Sequence, residues 1–268
     1  MTRLYARLEC RDGTLVSEPL DQHLYNVAVA AAMLAERLYR DRLAAEAACI
    51  AGAVHDAGKV LYNLLEEERI RRVEMEGCTR DWRLTFPYHE ILSAALYAFT
   101  AWRRGLDTID RIVSRAVLLH HQGLRGLEAR TYIEGAAEVA ARASGINGER
   151  LIAEVARLLR SIAERLSREP LAPCQAAVEK LASLADSLEE REATLPAVLE
   201  HAPIIVPEAA RIIDARHART ARIAAGVLMI ADNAVVKLCA PSSTEASVYV
   251  EEAKWLAKHL IQYECRAT

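Results

Sequence analysis

An all-α fold follows from three observations on this sequence. Apolar residues recur at three- and four-residue spacing through eight segments, the period of a helix with one buried face. Glycines and prolines gather mainly between those segments. Apolar residues make up 52% of the 268-residue chain and charged residues 26%, enough for a sizeable core beneath a charged surface.

Taken in order, residues 1–17 are ambiguous, because Leu4-Tyr5-Ala6-Arg7-Leu8-Glu9-Cys10 alternates and could form a short strand. Helices are expected over 20–40, 43–57, 87–104, 108–121, 149–167, 174–189, 207–238 and 244–262. Breaks fall at Gly77, at the glycines of 123–126 and 145–148, at the prolines of 170–173 and 196–207, and at Pro241-Ser242-Ser243. Ser243 ahead of Glu245 suits a helix start. The charge run 66–76 reads as a solvated face. We expect one domain over 1–268, with 136–206 as a helical insertion or lid, because that stretch carries no candidate ligand and Asp232 lies beyond it.

Bulk properties exclude several classes. No stretch of about 18 apolar residues is free of charge, so no membrane span is expected. The segment Met1-Thr2-Arg3-Leu4-Tyr5-Ala6-Arg7 lacks a secretory apolar run, and a cytoplasmic protein is expected. A net charge of −3 is no nucleic-acid signature, so a nucleic acid would need a local patch or metals. The chain has 29 Arg against 5 Lys and only four each of Asn and Gln, a composition suggesting a thermophile. The six cysteines, at 10, 49, 78, 174, 239 and 265, form no CxxC pair. Free buried thiols are expected, with intracellular disulfides as the alternative in a hyperthermophile, and a zinc knuckle is not expected. The stretch from Gly52 to Val60 imitates a phosphate-binding loop, but five residues separate its glycines and Val60 follows Lys59, so nothing supports an ATPase or helicase.

The chemistry lies in Ala53-Val54-His55-Asp56-Ala57-Gly58-Lys59. A buried His beside a buried Asp is costly unless something compensates both, and a metal does so. Other candidate ligands sit in or beside apolar runs: His23, His89 after Phe86-Pro87-Tyr88, the pair His120-His121 and Asp232. Five of the eight histidines fall in this ordered series. Imidazole with carboxylate suits borderline divalent ions: Mn, Ni, Co, Fe or Zn. Adjacent helical residues diverge by about 100°, so His55 and Asp56 can serve one ion only at a helix end, or Asp56 can bridge two. Lys59, one turn beyond Asp56, could pair with a carboxylate or contact a substrate phosphate. Arg216, Arg219 and Arg222 form an i, i+3, i+6 ladder ahead of Asp232, readable as phosphate contacts or as a solvated helix face. His201 and His217 stand outside the series and suit surface or capping roles.

The order H…HD…H…HH…D resembles the HD phosphohydrolase superfamily. With the adjacent His120-His121 and the Gly58-Lys59 after the HD, it looks like the stand-alone HD nuclease of type I CRISPR interference systems, over roughly residues 15–240. The resemblance implies a helical HD domain with two divalent metals, Mn, Ni, Co or Fe, with Mg or Zn as further options. It implies one ion on His23, His55, Asp56 and Asp232 and a second on Asp56, His89, His120 and His121. Asp56 would be catalytic as the bridge, water made acidic by the ions would attack the phosphodiester, and Lys59 would contact the substrate. The implied substrate is single-stranded DNA, and the implied partners are a separate helicase subunit and a CRISPR effector complex. The alternative is an HD phosphohydrolase of nucleotides or cyclic nucleotides, and a third reading is a catalytically idle scaffold.

Overall fold

A computed structural model of the protein describes residues 3–121, 129–168, 171–190, 193–212, 214–239, 255, 256, 258 and 259, with backbone alone at 129–131 and 237–239. The chain opens not on a helix but on a hairpin, β1 (Tyr5–Arg11) and β2 (Thr14–Pro19), so the alternation at 4–10 does mark a strand. Its turn is Asp12-Gly13, with φ of 49° and 73°, a pair that matches the twist of a tight hairpin. A two-residue strand, β3 (Trp82–Arg83), pairs antiparallel with β1 to give the order β2-β1-β3. This small sheet folds over its own apolar cluster of Tyr5, Leu8, Ile70 and Leu84. It is tied to the helices through Asn63, which accepts from the Tyr5 backbone at 2.8 Å and donates back to its carbonyl at 3.0 Å.

Helices dominate the rest of the described residues, as expected. The centre is α1 (Leu20–Tyr39) against α2 (Arg42–Val54), joined through Arg40 in the left-handed region and Asp41, whose side chain caps α2 at the Ala44 amide. Residues 27–32 of α1 are all buried, four of them alanine, so α1 is apolar nearly all round, as an interior helix must be. A Cβ on Gly52 of α2 would stand 2.6 Å from Ala28 Cα, so glycine there allows the two backbones to close together. Then come α3 (Lys59–Leu65), α4 (Glu67–Glu76), α5 (His89–Arg103) and α6 (Thr108–Leu119), the last opened by a reciprocal cap between Asp107 and Asp110. They are followed by α7 (Ala129–Ala143), α8 (Gly148–Ser167), α9 (Ala172–Glu189), α10 (Leu195–Ala209) and α11 (Ala215–Cys239).

α11 packs on α1, α2 and α6, and α8 and α9 pack together beside α1 and α2. Within 136–206, Leu151, Val155, Ile162, Leu181 and Val206 join the same apolar cluster as α1 and α2. The charge run forms α4, with Ile70 alone buried, so it is a solvated face as read.

Two expectations are corrected. The proline stretch 196–207 is no break but lies within α10: Pro196 sits in the first turn after the Thr194 cap, where a missing N–H costs nothing. Leu195, Val198, Ala202, Ile205, Val206 and Ala209 then supply one buried face that holds the helix through Pro203 and Pro207. The expected helix 207–238 is therefore divided, and α11 starts at Ala215. The cysteines at 10, 49, 78 and 174 are not free thiols: Cys10 is bonded to Cys78 and Cys49 to Cys174, with Cα atoms 5.4 and 5.6 Å apart. These partners lie 68 and 125 residues apart in sequence, so no local spacing could reveal them. The Cys239 side chain, Cys265, Ser243 and most of the helix expected over 244–262 lie outside the described residues. Among those described, no helix is long and apolar enough to cross a membrane.

Candidate metal centre

Each candidate side chain is set by the end of a helix or by a helix wall facing the α2–α3 turn. His55 ends α2, and Asp56 stands in the turn before Lys59 opens α3. The apolar run of α2 thus delivers His55 and Asp56 to a helix terminus, where neighbouring side chains can converge. His23 lies in the first turn of α1, His89 opens α5, His120 ends α6, His121 follows it, and Asp232 projects from α11.

All seven side chains converge. They form two sets, His23, His55, Asp56 and Asp232, and Asp56, His89, His120 and His121, in each of which the ligand atoms lie within 4.8 Å of one another. Asp56 belongs to both. Its Oδ2 lies 3.3 Å from His23 Nε2 and 3.4 Å from His55 Nε2, while its Oδ1 lies 2.7 Å from His89 Nε2 and 3.9 Å from His120 Nε2. Asp232 Oδ1 closes the first set at 3.2 Å from His23 Nε2. His121 closes the second, its Nε2 being 3.0 Å from His89 Nε2.

The imidazoles are aimed by their own backbones. Nδ1 of His55, His89 and His120 meets the carbonyl oxygen three residues earlier, at Gly52 (2.9 Å), Phe86 (2.6 Å) and Val117 (2.6 Å). A carbonyl only accepts, so Nδ1 carries the proton and each Nε2 lone pair faces the centre. His23 is aimed instead by the buried carboxylate of Glu18, at the end of β2, 2.9 Å from Nδ1. Sequence reasoning passed over Glu18, and with it the role of the sheet. It also passed over Ser93, whose hydroxyl takes the Gly58 amide at 2.8 Å and donates to the His89 carbonyl at 2.9 Å, tying α5 to the turn. A Cβ on Gly58 would overlap that carbonyl, which explains the glycine two residues after Asp56.

The electrostatics favour cations at the centre. Burial opposes ionisation of Asp56, yet His55, Lys59 and His89 outweigh it and hold the carboxyl well below its usual range. Asp232 is also held low: burial raises it, and the adjacent imidazoles of His23 and His55 overcome that. Burial pushes His23 down, but Glu18, Asp232 and Asp56 raise it well above the ordinary imidazole value. Burial, then His121 and His55, push His120 well down, and His121 is lowered by burial and by His89.

Divalent metals fit these residues. His23 Nε2, His55 Nε2, His120 Nε2 and both Asp56 oxygens are buried without an aligned hydrogen-bond partner. Leaving a buried polar atom unsatisfied costs about 1–3 kcal/mol. Lys59 and His89 answer the Asp56 oxygens in part, and the three imidazole nitrogens converging on them call for a ligand that takes them all. An imidazole and carboxylate donor set is compatible with divalent transition metals.

Lys59 Nζ lies 2.6 Å from Asp56 Oδ2, rests over the Phe86 ring and donates to the Ala6 carbonyl at 3.3 Å, so it joins the site as a carboxylate partner. Arg216 and Arg219 are not brought to it: they line a cleft with Tyr39 and Arg42 at the far end of α1 and α11. Arg222 lies ten residues, about 15 Å of helix, before Asp232. His217 and His201 lie outside the cluster as expected, one paired with Asp214 and the other against the Ala197 carbonyl.

No curated protein and no solved structure matches this chain. The model of the HD domain matches residues 20–191, a span that holds six of the seven convergent residues and leaves Asp232 beyond its end. That span exceeds half of the sequence, and the chain therefore belongs to the HD domain family, a family of metal-dependent phosphohydrolases.

Proposed function

We propose that this protein is a metal-dependent nuclease that hydrolyses phosphodiester bonds of single-stranded DNA at a two-metal site, within CRISPR interference, alongside a separate helicase subunit and effector complex. One observation carries the reading: two four-residue ligand sets share Asp56, and His120-His121 complete the second. Under this reading His23, His55, Asp56 and Asp232 hold one ion and Asp56, His89, His120 and His121 the other. Mn, Ni, Co or Fe suits these donors best. When bound, the ions supply Lewis acidity that neutralises the scissile phosphate and acidifies water for attack.

The chain's own residues position and balance charge. Three carbonyl-anchored imidazoles and Glu18 fix the donor atoms in place, so little reorganisation is needed when a diester enters. Lys59 brings an ammonium to the same carboxylate, from which it can turn to a non-bridging phosphate oxygen. His121 and Asp232 stand at the less buried edge, where a strand would enter. Nothing in these 268 residues supports an ATPase, so they are suited to strands that are already open. We read the chain as one functional unit, because the core beneath the site includes helices from 136–206.

The test is incubation of Mn-loaded protein with labelled single-stranded DNA, blunt duplex and a panel of nucleotides and cyclic nucleotides. Cleavage of the single strand with the duplex spared is expected. Efficient duplex cleavage, or turnover of nucleotides alone, would reject the reading, the latter in favour of a nucleotide phosphohydrolase.

A further inference from the structure

We infer that the outer face of α11 is a track for the sugar-phosphate backbone of a single strand, leading from an arginine cluster at the α1–α2 corner to Asp232. The inference rests on the nuclease reading and deepens it, by making the substrate a strand of minimum length.

Four observations support it. First, α11 presents one continuous accessible stripe. Arg219, Arg222, Gly226, Ile230 and Asn233 follow three- and four-residue steps and all remain accessible, while Ala221, Ala224, Val227, Leu228 and Ala231 between them are buried. Asn233, the last residue of the stripe, adjoins Asp232 in the chain, and Asp232 turns about 100° around the helix into the first ligand set.

Second, the stripe begins in a cleft of about 630 Å³ that gathers four arginines, Arg40, Arg42, Arg216 and Arg219. Two acids share the wall, and both are engaged: Glu46 takes Arg42 Nε at 2.8 Å, and Asp41 caps α2 at 3.0 Å from the Ala44 amide. Arg216, Arg219 and Arg222 have no ion-pair partner among the described residues. Clustered like charges repel unless an anion joins them, and a phosphate backbone is an anion of matching length.

Third, Gly226 sits mid-stripe in the helix interior, where glycine costs roughly 1 kcal/mol relative to alanine. Its φ is not positive, and among the described residues an added Cβ would meet nothing within 4 Å, so neither backbone conformation nor the described packing calls for it. What glycine leaves there is bare helix that another chain can approach closely.

Fourth, the lengths agree. At about 1.5 Å per residue, Arg222 and Arg216 stand roughly 15 and 24 Å along the axis from Asp232. At about 3.4 Å per stacked nucleotide this spans roughly four to seven phosphates. Nucleotides and very short strands cannot touch both ends, whereas a longer strand can.

The test compares the full-length Mn-loaded chain with R216A/R219A/R222A, using labelled oligothymidylates of 4–20 nucleotides in single-turnover cleavage at several salt concentrations. Wild-type KM should fall with length and level off near 8–10 nucleotides. The triple variant should keep its metal content and melting temperature, raise KM for the 16-mer roughly tenfold and leave the 4-mer unchanged. The slope of log affinity against log salt should fall by about 2, since each single-strand phosphate contact contributes about 0.7. R216K/R219K/R222K should recover most of the loss. A triple variant with wild-type KM and salt slope on the 16-mer would overturn the track and leave the nuclease reading standing. If wild type cleaves no strand, the nuclease reading fails, and fluorescence anisotropy with the same oligonucleotides decides the track alone: arginine-dependent binding of the 16-mer supports it, and arginine-independent or absent binding overturns it.

Discussion

Asp56 is surrounded by three imidazoles within 3.4 Å and an ammonium at 2.6 Å, and its two oxygens face different ligand sets. Lys59 has the simplest predicted behaviour. If it serves the phosphate, Lys59→Ala should retain the metals and slow single-turnover cleavage by about 30- to 1,000-fold, the equivalent of about 2–4 kcal/mol. Lys59→Arg should rescue poorly, because the planar guanidinium places its charge differently. An unchanged rate, or loss of metal together with rate, would remove Lys59 from the chemistry. His23 gives a pH prediction. Its raised pKa means that its ion pairs stabilise the metal-free fold fully below the ordinary imidazole value near 6.5 and fade as pH climbs through the raised value. Asp56 and Asp232 act in the opposite sense, stabilising fully above about pH 4 and losing this as pH falls through their lowered values. The metal-free protein should therefore lose melting temperature as pH rises above neutrality, and the metal-loaded protein should not, since a ligating imidazole is already neutral. Parallel melting profiles for the two forms would contradict this. The seven convergent residues were legible because each is a metal-ligating type in or beside an apolar run, where burial without a partner is costly. Glu18 was not legible: it sits in a short strand next to Pro19, where an acid looks like ordinary surface, and only the fold turns it onto His23.

The element that organises the site is the turn between α2 and α3. It places His55 at a helix end, frees Asp56 to face two ways and seats Gly58 under α5. A methyl at Gly58 would strike the His89 carbonyl, so Gly58→Ala should destabilise the metal-free protein by about 1–3 kcal/mol in denaturant titrations and weaken metal binding at the set that contains His89. Wild-type values for both would show that α5 adjusts freely and that the Gly58–Ser93 contact has no positioning role. At this scale the sequence spoke unevenly. Long buried helices such as α1 and α2 are plain from periodicity alone. The hairpin was half visible, and its strongest sign was the Asp12-Gly13 turn rather than the alternation before it. The α10 segment was hidden because prolines were weighed as breakers, whereas one lies in the first turn and the buried face carries the other two.

Across the whole molecule, two long-range disulfides hold together elements that the sequence separates. Cys49–Cys174 fastens α2, which carries His55, to α9. Closing a loop of 125 residues restricts the unfolded chain, and removing the bond by Cys174→Ser should cost about 2–5 kcal/mol. Denaturant unfolding under oxidising conditions measures this, and an unchanged midpoint would mean that the bond adds nothing to the packing of α2 on α9. The pairing was illegible because it is a property of tertiary contact, not of spacing. The meeting of Asp232 with His23 and His55 was, by contrast, implied by the family resemblance, and α11 brings it about. The central claim is that one carboxylate joins two metal sites, and metal stoichiometry tests it most directly. Elemental analysis of wild type, Asp56→Ala and Asp232→Ala, each loaded with Mn and desalted, should give about two, zero and one ions per chain, because only Asp56 serves both sets. An Asp56→Ala protein that is folded and retains wild-type metal content would contradict it.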